Sequence, residues 1–153
     1  MYVQAALHQL QIAIRTIVQI LDKVKDEDLD LRPAPTKRSV YELFSHLSLL
    51  TQADFFILNE ATKDEITMYY EANEKLTIKE MQLALFDSYN RLSHAFSTYS
   101  EEELQEVTTS YWGVSYTRFE WLIQIVAHMY HHRGQLHILL CEYSTDPQIK
   151  LFE

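Results

Sequence analysis

The sequence predicts an all-α protein, a single four-helix bundle over residues 1–153 with long crossover connections. Three observations carry that expectation. Only 2 glycines and 3 prolines occur in 153 residues, too few for the many tight turns that sandwiches and barrels need. Apolar residues recur at alternating spacings of three and four along the first segment, the seam of a packed helix. Further along, Ser or Thr followed three residues later by Glu opens each of the other long apolar stretches.

The first helix carries Val3, Leu7, Leu10, Ile14, Ile17, Leu21 and Val24 on one stripe. It is expected to end near Lys25, where Asp26-Glu27-Asp28 breaks the pattern. Leu31-Arg32-Pro33-Ala34-Pro35 cannot be helical, because each proline restricts itself and its predecessor, and it reads as an extended connector. Ser39 with Glu42 opens the second helix, Val40 to about Asn59. Thr77 with Glu80 opens the third, running to about Tyr99, and Ser100 with Glu103 marks a short helical turn. Thr117 with Glu120 opens the fourth, which runs to about Tyr143 before Pro147 forbids continuation. The links 60–76 and 100–116 are aromatic-rich, and we expect them to fold over one end of the bundle or to face a partner. Gly113, after Trp112, is placed for a positive-φ turn.

Charge narrows the function classes. With 13 Lys+Arg against 22 Asp+Glu, the formal charge is −9, a field that repels nucleic-acid phosphates and anionic lipid. No run approaches 18 apolar residues, so no membrane span is expected. Cys141 is the sole cysteine, which excludes an internal disulfide and a cysteine-rich zinc site. Met1-Tyr2-Val3-Gln4 lacks the basic start and apolar run of a signal peptide. A cytoplasmic protein acting on a small molecule is the expectation.

The histidines carry the chemistry. On a helix at about 100° per residue, His128 and His132 lie roughly 40° apart and one turn along, so one ion can touch both. His131 falls on the other side of His128 and could replace His132, but the i, i+4 pair is the usual chelating arrangement; His131 then sits beside the site or at its rim. Trp121, Ile125, His128, His132, Gln135 and Leu139 share one arc, so the pair faces partly inward. His46 shares its arc with Leu43, Leu50, Ala53 and Ile57 and is the third candidate. The His128–His132 pair alone reads as surface or packing residues and His46 alone as a core histidine with satisfied nitrogens; three inward histidines from two helices read as a divalent metal site. Imidazole accepts zinc, nickel, copper and iron. His137 lies on the opposite face of its helix, His8 and His94 read as solvated, and Cys141 reads as a small core residue too far along to share the ion. No general base is evident, since the cap occupies Glu42; Tyr130 and Gln135 are candidate lining residues.

Tyr41-Glu42-Leu43-Phe44-Ser45-His46-Leu47, after the Arg32-Pro33 connector, together with His128-Met129-Tyr130-His131-His132-Arg133-Gly134-Gln135-Leu136, resembles the DinB/YfiT-like superfamily over nearly the whole chain. The resemblance implies a four-helix bundle with an unusual crossover, often a homodimer. It also implies a divalent ion, zinc or nickel, on the positions of His46, His128 and His132, with water completing the coordination. Three imidazoles plus open positions describe a catalytic rather than a closed structural site. Through the resemblance, transfer of a low-molecular-weight thiol to an electrophile is the favoured expectation. The alternatives are a metal-dependent hydrolase and a non-enzymatic metal-binding stress-response protein.

Overall fold

The computed structural model describes residues 2–73 and 76–152; Met1, Glu153 and the pair 74–75 of the second link lie outside the described residues. Four long helices carry the architecture: α1 (Tyr2–Leu21), α2 (Val40–Leu58), α4 (Ile78–Thr98) and α6 (Arg118–Tyr143). Between them stand α3 (Lys63–Ala72), α5 (Glu101–Gln105) and a two-stranded hairpin, β1 (Val107–Thr109) and β2 (Ser115–Thr117).

The capping boxes form as the sequence predicts. Glu42 N–H donates to Ser39 Oγ at 3.2 Å while Ser39 N–H donates to Glu42 Oε2 at 2.7 Å. Thr77 with Glu80 and Thr117 with Glu120 repeat the exchange, satisfying amides that a helix start leaves without partners. Helix α1 stops at Leu21, four residues before the predicted end. Its last turn tightens to Lys23 N–H···O Ile20, and Asp28 Oδ2 accepts from Lys25 N–H at 3.0 Å, starting a 3-10 turn at Asp26–Asp28. Val24 still packs on the core from that turn.

Two elements depart from the expected loops. Helix α3 opens on a fifth capping box, Thr62 with Glu65, that the periodicity reading passes over, because Ile66 is the only buried residue of its ten. The hairpin has strands of three residues each, too short for an alternation signal. Its turn does contain Gly113 at φ +89°, as anticipated.

Helix α1 packs against α4 and α6, and α2 against the same two. Sequence neighbours α1 and α2 are therefore diagonal, as are α4 and α6. Residues 22–39 and the α5–hairpin segment are the two crossovers. The core between the four helices is apolar, with Leu10, Ile17, Phe44, Leu47, Leu50, Leu85, Leu122, Ile125 and Met129 sealed within it. Because α2 and α6 are adjacent, side chains on their facing arcs can meet. No helix among the described residues is long and apolar enough to cross a membrane.

Candidate metal centre

His46 on α2 meets His128 and His132 on α6. His46 Nε2 lies 3.1 Å from His132 Nε2, which lies 3.1 Å from His128 Nε2, and the three ligand atoms all fall within 4.8 Å of one another. Zinc–imidazole bonds of about 2.05 Å set nitrogens roughly 3.3 Å apart at tetrahedral angles and roughly 2.9 Å apart at right angles. Both 3.1 Å separations fall between these limits, so His132 pairs with His46 and with His128 at the spacing of neighbouring ligands on one small divalent cation.

Neighbouring groups decide which nitrogen faces inward. His128 Nδ1 is 2.8 Å from Asp54 Oδ2, and a carboxylate only accepts, so Nδ1 carries the proton. His132 Nδ1 is 2.8 Å from Gln135 Oε1, which assigns the same tautomer. The Nε2 lone pairs of both rings then face one another at 3.1 Å, a repulsive arrangement that a cation at their centre relieves. Outer partners of this kind fix ring orientation and raise ligand basicity. Burial, with Arg38 and then the other two rings adding to it, pushes the His46 pKa down to about 3. Burial likewise takes His132 down to about 4, against an opposing contribution from Gln135. These imidazoles stand neutral at pH 7, the form that binds metal.

Aromatic and polar groups shape the surroundings. Tyr70 of α3 stacks on His46 with ring centroids 5.9 Å apart, so the aromatic link does fold over this end. Burial and the Asp54 charge raise the Tyr70 phenol far above its ordinary value. A cavity of about 650 Å³ opens against His46 and Tyr70, and another of about 710 Å³ against His132 and Gln135. Arg38 lines both, and among the described residues its guanidinium makes no hydrogen bond or ion pair.

Gln135 holds His132 as a lining residue should, and its amide Nε2 lies 3.0 Å from Nε2 of the exposed His131, which stands at the rim. Tyr130 does not line the site. Its hydroxyl donates to Gln9 on α1, and Arg133 sits over its ring at 4.4 Å. Glu42 is held by its cap and by Arg32 at 3.4 Å. His8 and His94 are exposed, whereas Cys141 is half-buried rather than in the core. Sequence reading missed Asp54 and Tyr70. Asp54 lies eight residues after His46, two helical turns along the same face, and that spacing was the available signal; nothing in the sequence ties Tyr70 to His46.

The family profile described as the DinB superfamily matches residues 9–136. A crystal structure of a DinB-family member from Exiguobacterium sibiricum is 30% identical, with 99% of this chain and 97% of that chain covered and a TM-score of 0.88. DinB-like proteins from Bacillus subtilis (16% identity, 90% of each chain, TM-score 0.67) and Bacillus cereus (18% identity, 96% and 97%, TM-score 0.67) share the fold. No curated protein matches the chain.

Proposed function

The chain belongs to the DinB superfamily, and from that premise we propose that it is a metal-dependent enzyme transferring a low-molecular-weight thiol to an electrophile. The observation that carries this reading is the convergence of three imidazole nitrogens, two pairs at 3.1 Å, with His46 lining one cavity and His132 another. His46, His128 and His132 would hold the ion, zinc or nickel, with coordination positions left open. Bound there, a divalent cation supplies Lewis acidity, lowering the pKa of a thiol or water that enters an open position.

A thiol suits the surroundings better than water. Its intrinsic pKa is about 8.5 against about 15.7 for water, so a thiol is deprotonated at neutral pH with less help. Of the two α2 carboxylates flanking the site, Asp54 is bound to His128 and Glu42 to Ser39 and Arg32, so neither is free to act as a base. Asp54 holds the proton at His128 Nδ1 and Gln135 the one at His132 Nδ1, keeping both Nε2 atoms as donors. Tyr70 covers one face of the His46 ring. Arg38, between the cavities, is placed to bind an anionic group on the thiol or on its acceptor.

The test begins with the metal content of purified, untagged protein and of His46→Ala and His128→Ala. Near-stoichiometric metal that both substitutions abolish supports the site. A panel of bacterial thiols with a chlorinated electrophile then reads the reaction. Protein that stays metal-free on titration removes the site, and a metal-loaded protein without metal-dependent thiol consumption removes the transferase assignment.

A further inference from the structure

A second group of ligand-type side chains lies on the opposite face of α6, independent of the three-histidine centre. His137 and Cys141 are one helical turn apart and share a face. Asp146 returns to them from the segment after the helix. Pro147 is buried, Gln148 adopts φ 49°, and Gln148 N–H donates to Asp146 Oδ1 at 2.8 Å, which fixes the carboxylate. Cys141 Sγ is 3.8 Å from both His137 ring nitrogens, and Asp146 Oδ1 is 3.8 Å from His137 Nε2. One atom from each residue falls within 4.8 Å of the others.

These separations are informative. Bonds of about 2.3 Å to sulfur and about 2.0 Å to nitrogen or oxygen place tetrahedral ligands roughly 3.3–3.6 Å apart. The observed 3.8 Å separations are longer by about half an ångström or less, and the members now share weak sulfur hydrogen bonds, Cys141 with His137 and with Asp146, that metal bonds would replace. We propose that His137, Cys141 and Asp146 form a second metal site, selective for zinc-class divalent cations. A thiolate–imidazole pair disfavours magnesium and calcium, which prefer oxygen. The cleft of about 420 Å³ that Asp146 lines admits solvent to complete the coordination. The ion enters by displacing the Cys141 thiol proton to buffer, as thiolate ligation requires, so occupancy rises with pH.

Cobalt(II) titration of the full chain tests this, because a thiolate–cobalt charge-transfer band in the near ultraviolet reports on the sole cysteine. Wild type should take up a second equivalent of cobalt as that band grows, and added zinc should bleach it. Cys141→Ser should lose the band and the second equivalent while retaining the first, and His46→Ala should retain the band. His137→Asn and Asp146→Asn should each weaken the band-forming equivalent by about tenfold or more, at least the cost of losing an outer partner. Absence of the band at saturating cobalt overturns the proposal. So does a band whose cobalt affinity is unmoved by both His137→Asn and Asp146→Asn, since the cysteine would then be binding alone.

Discussion

Removing the carboxylate of Asp54 should weaken metal binding without removing a ligand. Asp54 Oδ2 accepts from His128 Nδ1 at 2.8 Å, and its side chain is 14% exposed, so the bond is charge-assisted and largely shielded. Such bonds contribute about 1.5–3 kcal/mol, and loss of an outer partner costs roughly 10–100-fold in metal affinity. The two estimates agree, because every 1.4 kcal/mol is about tenfold. Asp54→Asn keeps an acceptor oxygen but loses the charge, so it belongs at the lower end, about tenfold. Asp54→Ala leaves the Nδ1–H without an acceptor and frees the ring to turn, so it belongs near 100-fold. Gln135→Ala removes a neutral acceptor and should fall below Asp54→Ala. Competition against a chromophoric chelator, with zinc and then nickel, measures all three, and circular dichroism checks that the helices persist. Unchanged dissociation constants for both Asp54 variants would refute the tautomer assignment and the supporting role given to Asp54.

Other consequences are as direct. Arg38→Ala should leave metal content unchanged and raise KM for an anionic substrate more than it lowers kcat; equal KM for wild type and variant would remove Arg38 from the site. Phe44, fully buried, should cost about 3–5 kcal/mol as Ala, read by urea unfolding. Ser39→Ala should cost about 1 kcal/mol through the loss of its cap, again by urea, and a neutral result would mean that Glu42 alone satisfies the helix start. Backbone N–H groups of Ser39, Thr62, Thr77 and Ser100 hold the carboxyls of Glu42, Glu65, Glu80 and Glu103 below their ordinary 4.5. The stability these groups contribute is present above pH 4.5 and lost as pH falls through the lowered values. Glu65→Gln, Glu80→Gln and Glu103→Gln combined should therefore flatten the acid side of a Tm–pH curve, and an unaltered slope would contradict this.

The legible parts of this protein were those written in local periodicity. The seam of α1, the boxes opening α2, α4 and α6, and the turn at Gly113 depend on residues within a few positions of one another. His128 and His132 were readable as a pair for the same reason, since one turn of helix brings them together whatever the rest of the chain does. His46 could be placed on an inward arc, but its distance from the pair could not be read.

Tertiary structure decided what lies across the bundle. Placing α1 and α2 on a diagonal makes α2 the neighbour of α6, and only that adjacency turns two inward arcs into three nitrogens at one point. The same adjacency brings Asp54 to His128, while the return of α3 over α2 brings Tyr70 to His46. These contacts join residues 24 and 74 positions apart through helices whose packing order no local pattern encodes. Helix periodicity fixes which way a side chain faces; only the burial of all four apolar stripes at once fixes what it meets.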